Sequence, residues 1–406
     1  MDFSHWIFMK TQTNITLAMK PEPLHPLPYH QQIARYFQSR YSAVWASFDA
    51  ARRAEIRRSE VELKLLKTSF RLSETDHPGL YEAVARARSI LGLEQPIILY
   101  QSNRAHQDNA AMFFTEKEGH LQFEGEILKV LRPEEIAAVI GHEAGHYKLW
   151  TLDDGRYHTT ARILDTIKAQ GDLHPSLKES CRLFQLYTEI YCDRAGASVA
   201  GSAEPMVSAL VRLAAGEVIV SAADYIAQAE EIFRRSGAEC SHGDTHPERF
   251  IRARAVARWF GRDMARPEDG LDRLIEQMIG GRKGLNEIDA VARDRLADWT
   301  RTILRHLDES VREVRTTGWQ RHFDRFQPGD GNPPGEGSPT LEGIREGLAG
   351  ESGTVRDYFV FLLMDFATVD PSVEKFMTQC KETAVLLGLE CRFDELVQRD
   401  LIALAA

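Results

Sequence analysis

Two histidines four residues apart enclose a glutamate in the run His142-Glu-Ala-Gly-His146. On a helix that spacing projects both imidazoles from one face, where they can share a cation. Glu143, between them in sequence, is placed to take a proton from water held at that cation. The chemistry indicated is metal-assisted hydrolysis. Zinc is the expected cofactor, one ion per chain, because a catalytic zinc takes three protein ligands and keeps a fourth position for water. A polar helix with surface histidines would carry the same residues. Against that, Ile136, Ala137, Val139 and Ile140 lead into the motif, so the helix is expected to be buried, and buried histidines and carboxylates need partners.

A third ligand has to come from another helix. The run Leu186–Gly196 offers Glu189, with Asp193 one turn later on the same face. Glu189 can ligate a metal while Asp193 accepts a hydrogen bond from a ligand histidine and fixes its tautomer. Taken alone, the two also fit an ordinary i,i+4 acidic pair on a solvated face. Further on comes Thr245-His-Pro-Glu-Arg-Phe-Ile-Arg252. His246 can donate to a developing oxyanion and Arg252 can orient a carboxylate. By itself His246 also fits a surface position, and His242 and Asp244 compete with it as ligands.

The elements that must position these residues follow from local patterning. Pro133 suits a first helical position, and Glu134 and Glu135 suit the positive end of that helix. The first 60 or so residues are mostly helical in pattern. Short strands are expected at Lys67–Leu72, Pro96–Tyr100, Ala110–Phe114 and His120–Phe123, the last two joined by a turn at Thr115–Gly119. From Pro133 onward the period is helical, with breaks near Asp153–Gly155 and Gly171–Pro175. Glycine and proline make Gln327–Pro339 a linker. The expected fold class is α+β, mostly α-helical, with a small mostly antiparallel sheet and a C-terminal all-α domain. The expected division is a peptidase-like domain over 1–262, a helical extension over 263–326, the linker over 327–339 and a helical domain over 340–406.

Composition narrows the partners. A net charge of -10 over 406 residues argues against a nucleic-acid backbone as the main partner. No stretch approaches the roughly 18 apolar residues of a membrane span, and no signal peptide is read at the N-terminus. Five cysteines form no CxxC pair, which fits reduced thiols in a cytoplasm.

Taken together, His142-Glu-Ala-Gly-His146, Glu189-Ile-Tyr-Cys-Asp193 and His246-Pro247 with Arg252 resemble, in order and spacing, the gluzincin metallopeptidases typified by HtpX and the CAAX prenyl protease, with relatives such as BepA. The resemblance runs from about Lys67 to about Arg254. It implies a zincin-like core and a zinc-dependent endopeptidase with Glu189 as third ligand, Glu143 as base and His246 near the scissile carbonyl. It also places a substrate-binding edge strand at Asn109-Ala110, continuing through Ala111 and Met112, which would pair with a protein or peptide substrate. Membrane members of that family flank the core with spanning helices, and none is visible here. A second resemblance, carried by Val355–Asp365, Asp370, Glu374 and Leu387–Leu389, is to TerB-type helical modules; a generic amphipathic bundle fits the same pattern. The extra helices are expected to serve latency or a regulatory protein partner, so that deleting residues after Phe326 would raise activity. The rival expectation is a zinc-bound scaffold without catalysis that acts through its C-terminal helices.

Overall fold

The computed structural model describes residues 24–405 apart from 59, 103–107, 116, 172, 216–220, 238, 262–268, 281–283 and 327–338. The expected linker thus falls almost wholly outside the described residues, as does the start of the N-terminal helical stretch. The described residues open with α1 (Pro28–Arg40), α2 (Ser42–Arg58) and α3 (Val61–Thr68), then β1 (Phe70–Arg71) and α4 (Pro78–Leu91). Next come β2 (Ile97–Ser102), β3 (Asn109–Phe114), β4 (Gly119–Glu124), α5 (Ile127–Val130) and α6 (Pro133–Thr151). The helices α7 (Arg156–Ala169), α8 (Pro175–Ala200), α9 (Ala203–Ala215), α10 (Ala222–Ser236), α11 (Arg249–Phe260) and α12 (Asp269–Gly280) follow. The chain closes with α13 (Ala290–Ser310), α14 (Thr317–Phe326), α15 (Leu341–Gly350), α16 (Gly353–Ala367), α17 (Glu374–Leu386) and α18 (Glu390–Ala405).

The architecture is α+β: mostly helix with, among the described residues, one mixed four-stranded sheet in the order β1-β2-β4-β3. β2 and β4 run parallel, while β1–β2 and β3–β4 are antiparallel. The β3–β4 hairpin closes where the Thr115 N–H donates to Glu118 O at 2.8 Å. Among the described residues β3 pairs only with β4, so its outer edge is open. The expected strand at Lys67–Leu72 shrinks to Phe70–Arg71. Leu65 is buried one helical turn after Val61, so the 3.6 period holds the chain in α3 as far as Thr68 and leaves only two residues for the ladder.

One face of the sheet, through Leu99, Leu121 and Phe123, packs with Val84, Ala87 and Leu91 of α4 and with Val139, Ile140 and Tyr147 of α6. The central packing pair is α6 on α8, and small residues set its distance. A Cβ on Gly141 would lie 2.7 Å from Val199 Cβ, one on Gly145 2.8 Å from Ala195 Cβ, and one on Gly196 2.7 Å from the Ala138 carbonyl. At these positions the two helices touch backbone to side chain, a contact that excludes any larger residue. The start of α6 is fixed as well. Glu135 accepts the Arg132 N–H at 2.8 Å and pairs with Arg212 of α9 at 3.1 Å. It is buried at 1 % exposure, so it anchors α9 rather than lying on a solvated first turn.

Beyond α12 a second apolar core gathers Leu296, Trp299, Ile303, Leu307 and Trp319 with Ile344, Phe359, Leu363, Phe366 and Phe376. It therefore draws side chains both from before residue 327 and from after residue 338. The start of α13 belongs to the first body: Tyr29 of α1 donates to Asp289 at 2.7 Å, and the Ala290 N–H donates to Ser180 of α8 at 3.0 Å.

Candidate active site

The α6–α8 contact brings the two sequence motifs face to face. His142 Nε2 lies 3.5 Å from Glu189 Oε2, and His146 Nε2 lies 3.7 Å from Glu189 Oε1. Ligand atoms about 2.0–2.1 Å from a tetrahedral zinc stand about 3.4 Å from one another; each histidine nitrogen lies near that separation from one of the two Glu189 oxygens, His142 from Oε2 and His146 from Oε1. The other nitrogen of His142 is engaged: Nδ1 lies 3.0 Å from Asp193 Oδ1. That contact sets the ring so that Nε2 points toward Glu189. Asp193 is gripped in turn by Arg252 of α11, whose Nε and Nη2 donate to Oδ2 at 2.8 Å and Oδ1 at 2.7 Å. The same Nη2 lies 3.3 Å from Glu189 Oε2.

His246 reaches the group from the loop before α11. Its Nε2 stands 3.5 Å from Glu189 Oε2, and its Nδ1 is 2.9 Å from Thr245 Oγ1. At 60 % side-chain exposure it faces open space, whereas Glu189 beside it is 9 % exposed. The backbone N–H of His242, one of the competing candidates, donates to Glu248 at 2.9 Å. Glu143, on the turn of α6 that carries His142, takes a hydrogen bond from the backbone of Met112. The open-edged strand β3 therefore runs beside the glutamate.

Burial dominates the charges here. It pushes the Glu143 carboxyl up to about 7, a rise that the neighbouring His142 opposes and the Glu189 charge reinforces. Burial likewise drives His146 down to about 4, keeping a lone pair free on its ring. For Glu189 burial raises the pKa, but the cationic Arg252 and the surrounding histidines outweigh it and hold the carboxylate ionised. Asp193 behaves in the same way and is held at about 2, again chiefly through Arg252.

Cys192 is a neighbour the sequence did not single out. Its sulfur and nitrogens of His142 and His146 lie within 4.8 Å of one another, the one such group of three metal-capable side chains among the described residues. Two donor sets thus present themselves, with either Glu189 or Cys192 beside the histidines. Burial, reinforced by the charges of Glu189, Glu143 and Asp193, pushes the Cys192 thiol well up. Burial and the neighbouring carboxylates disfavour a thiolate at Cys192, whereas Arg252 and the histidines favour the carboxylate of Glu189. Histidine with carboxylate and histidine with thiolate are both donor sets that a divalent ion of the zinc type accepts. Asp365, Asp370 and Glu374 form no comparable group; Asp370 instead accepts the backbone N–H and hydroxyl of Ser372.

Comparison with known proteins bears on the class. Residues 79–171 match Peptidase family M48. That stretch holds β2, β3, β4 and α6, so His142, Glu143 and His146 fall inside it, while Glu189, Asp193, His246 and Arg252 lie beyond its end. The class to which this stretch is similar is that of the metallopeptidases. Among curated proteins, the plastoglobule-localized metallopeptidase 48, chloroplastic, of Arabidopsis thaliana is 29 % identical over 159 residues, covering 38 % of this chain. The match spans 45 % of that relative's own length. No solved structure matches the chain. No helix among the described residues is long and apolar enough to cross a membrane.

Proposed function

We propose that this protein is a zinc-dependent metalloendopeptidase with a zincin-like core, related to the HtpX and BepA type within family M48, that hydrolyses peptide bonds of protein substrates. The observation that carries the proposal is the convergence of His142 Nε2, His146 Nε2 and the Glu189 carboxylate, with His142 Nδ1 already taken by Asp193. In this reading His142, His146 and Glu189 hold the ion. Zinc bound there supplies Lewis acidity toward a water and a substrate carbonyl.

The remaining work belongs to the chain's own groups. Glu143 takes the proton of the attacking water and passes it to the departing amine, for which a pKa near neutrality is suited. His246 donates from Nε2 to the oxygen that gains charge as the carbonyl is attacked. Asn109, Ala110, Ala111 and Met112 offer their open backbone edge to an extended peptide, which explains how a substrate would lie across Glu143. Asp193 and Arg252 hold His142 and Glu189 in place.

The five cysteines Cys181, Cys192, Cys240, Cys380 and Cys391 are all unpaired, which supports a reducing, cytoplasmic setting. The helices after residue 340 keep the TerB-like reading and a regulatory protein partner as part of the proposal.

The test pairs metal content with turnover. Purified wild type and Glu143→Gln should each carry one zinc by mass spectrometry, and only wild type should cleave casein. Near wild-type cleavage by Glu143→Gln removes the base assignment, and absence of bound metal from both removes the site.

A further inference from the structure

The loop that carries His246 is held by a residue outside all three motifs. Arg182 lies on α8 seven positions before Glu189, two helical turns away on the same face. Its guanidinium is gripped by Glu179, with Nε and Nη2 donating at 2.8 and 3.0 Å. The free direction of that fork points into the loop: Nη1 donates to Gly243 O at 3.0 Å and to Ser241 O at 3.3 Å. On the other side Nη2 reaches Ile279 O at 3.5 Å, at the end of α12, and the Ser241 N–H donates to Met278 O at 2.8 Å.

The pinned residue is in direct contact with the one that reaches Glu189. Gly243 folds so closely against the backbone of His246 that a Cβ added to it would lie 1.9 Å from His246 O. The carbonyl held by Arg182 and the backbone carrying the imidazole therefore move together. His246 is anchored on its far side by α11, where Arg252 binds Asp193. Two arginines thus fix the loop from opposite ends, each against the helix that carries Glu189.

We infer that Arg182 is a positioning residue that holds the His246 imidazole over Glu189 by clamping the Ser241–Gly243 carbonyls to α8. The inference rests on the catalytic reading of His246 given above, but the clamp itself is a separate physical claim. With Arg182 gone, the loop keeps its sequence and loses the donor to its two carbonyls, Ser241 O and Gly243 O, so His246 samples positions away from the site while the His142–His146–Glu189 group is untouched.

The test uses the full chain as wild type, Arg182→Met, Arg182→Lys, His246→Ala and the Arg182→Met/His246→Ala double variant. Hydrogen exchange of a peptide covering 240–248 should speed up roughly 10-fold in Arg182→Met, with exchange across α6 and the bound zinc unchanged. Arg182→Lys, which keeps the charge facing Glu179 but has no planar fork, should fall between the two and guards against mistaking a general folding defect for a loop effect. On a peptide substrate, kcat should drop roughly 10-fold with KM nearly constant, and the substitution should add almost nothing once His246 is already alanine. Unchanged exchange in 240–248 overturns the clamp whatever the kinetics. Multiplicative losses in the double variant overturn the route through His246. If wild type shows no hydrolysis, it is the peptidase reading that fails, and the exchange data still decide the clamp.

Discussion

Asp193 and His142 are joined by a 3.0 Å contact from Oδ1 to Nδ1, and the same carboxylate is held by two hydrogen bonds from Arg252. The aspartate is 1 % exposed and Arg252 8 % exposed, so neither charge has water to fall back on. One residue therefore orients the proposed ligand and neutralises a buried arginine at once.

Asp193→Asn should separate those two duties. The amide keeps the volume but offers only one acceptor, so zinc affinity should weaken about 10- to 100-fold, the usual loss when a ligand histidine is deprived of its orienting carboxylate. Stability should fall by about 3 kcal/mol, because the buried Arg252 loses its two-pronged partner and keeps only Glu189, 3.3 Å away, as counter-charge. Adding Arg252→Gln should recover part of the stability and none of the zinc affinity. Competition with a chromophoric chelator and urea unfolding measure the two quantities. Equal recovery of both would mean that Asp193 does not act through His142.

The close approach of α6 and α8 predicts a steric lesion with a specific rescue. Gly145→Ala adds a methyl 2.8 Å from Ala195 Cβ and 3.1 Å from Cys192 Cα, so the helices must part by a few tenths of an ångström between His142 and Glu189. Overpacking of this kind costs about 1–3 kcal/mol, and zinc affinity should fall with it. Ala195→Gly in the same chain removes the nearer methyl. It should restore zinc affinity while leaving stability about 1 kcal/mol low, since a glycine then sits inside α8. Wild-type zinc affinity in Gly145→Ala alone would show that the site tolerates the separation.

These relationships also explain how far the sequence could be read. His142, Glu143 and His146 were legible because their roles depend on spacing within one helix. Glu189 and Asp193 stood out only through the order of three motifs, since an i,i+4 acidic pair has no mark of its own. Arg182 and Glu135 could not be found that way. Each resembles an ordinary charged position on an amphipathic helix, and each is defined by partners 59 to 97 residues away in the first case and 73 to 77 in the second. Cys192 was passed over because its importance lies in facing Gly145 across a helix contact that no local pattern announces. The strand at Lys67–Leu72 was overestimated for the converse reason: a local β-like run yielded to a helical turn completed by burial of Leu65.

Acid sensitivity should have an identifiable source away from the site. His30 is fully buried among the rings of Tyr157, Phe184, Tyr187 and Tyr191, with Nε2 3.2 Å from Thr188 Oγ1 and Nδ1 without a partner. Burial first, and the Arg194 charge second, lower its pKa from 6.5 to about 3. Between those values the unfolded chain binds a proton that the folded chain refuses. Stability from the neutral ring is thus fully present above pH 6.5 and is lost as pH falls toward 3, by up to about 1.4 kcal/mol per pH unit. Urea unfolding of wild type and His30→Phe at pH 8, 6, 5 and 4 isolates the effect. The variant should lose less stability than wild type on going from pH 6 to 4, and parallel curves would assign the acid sensitivity to other groups.

The second apolar core supports a different prediction for removing the C-terminal segment from the gain in activity that latency implies. Trp319 packs its ring 4.9 Å from Phe366 and 4.5 Å from Phe376, and its Nε1 donates to Asp308 at 3.1 Å. Residues before 327 and after 338 therefore bury one another. Ending the chain at Phe326 would uncover Leu296, Trp299, Ile303, Leu307 and Trp319 together, each worth roughly 1.5–3 kcal/mol when buried. The shortened protein should bind a hydrophobic dye, aggregate at micromolar concentration and show lower hydrolysis than wild type, because α13 also braces α1 and α8 through Asp289 and Ala290. The milder Trp319→Ala should cost about 3–5 kcal/mol and leave zinc content unchanged. A monomeric Phe326-terminated chain with wild-type melting and raised hydrolysis would show instead that these helices restrain the enzyme without supporting its fold.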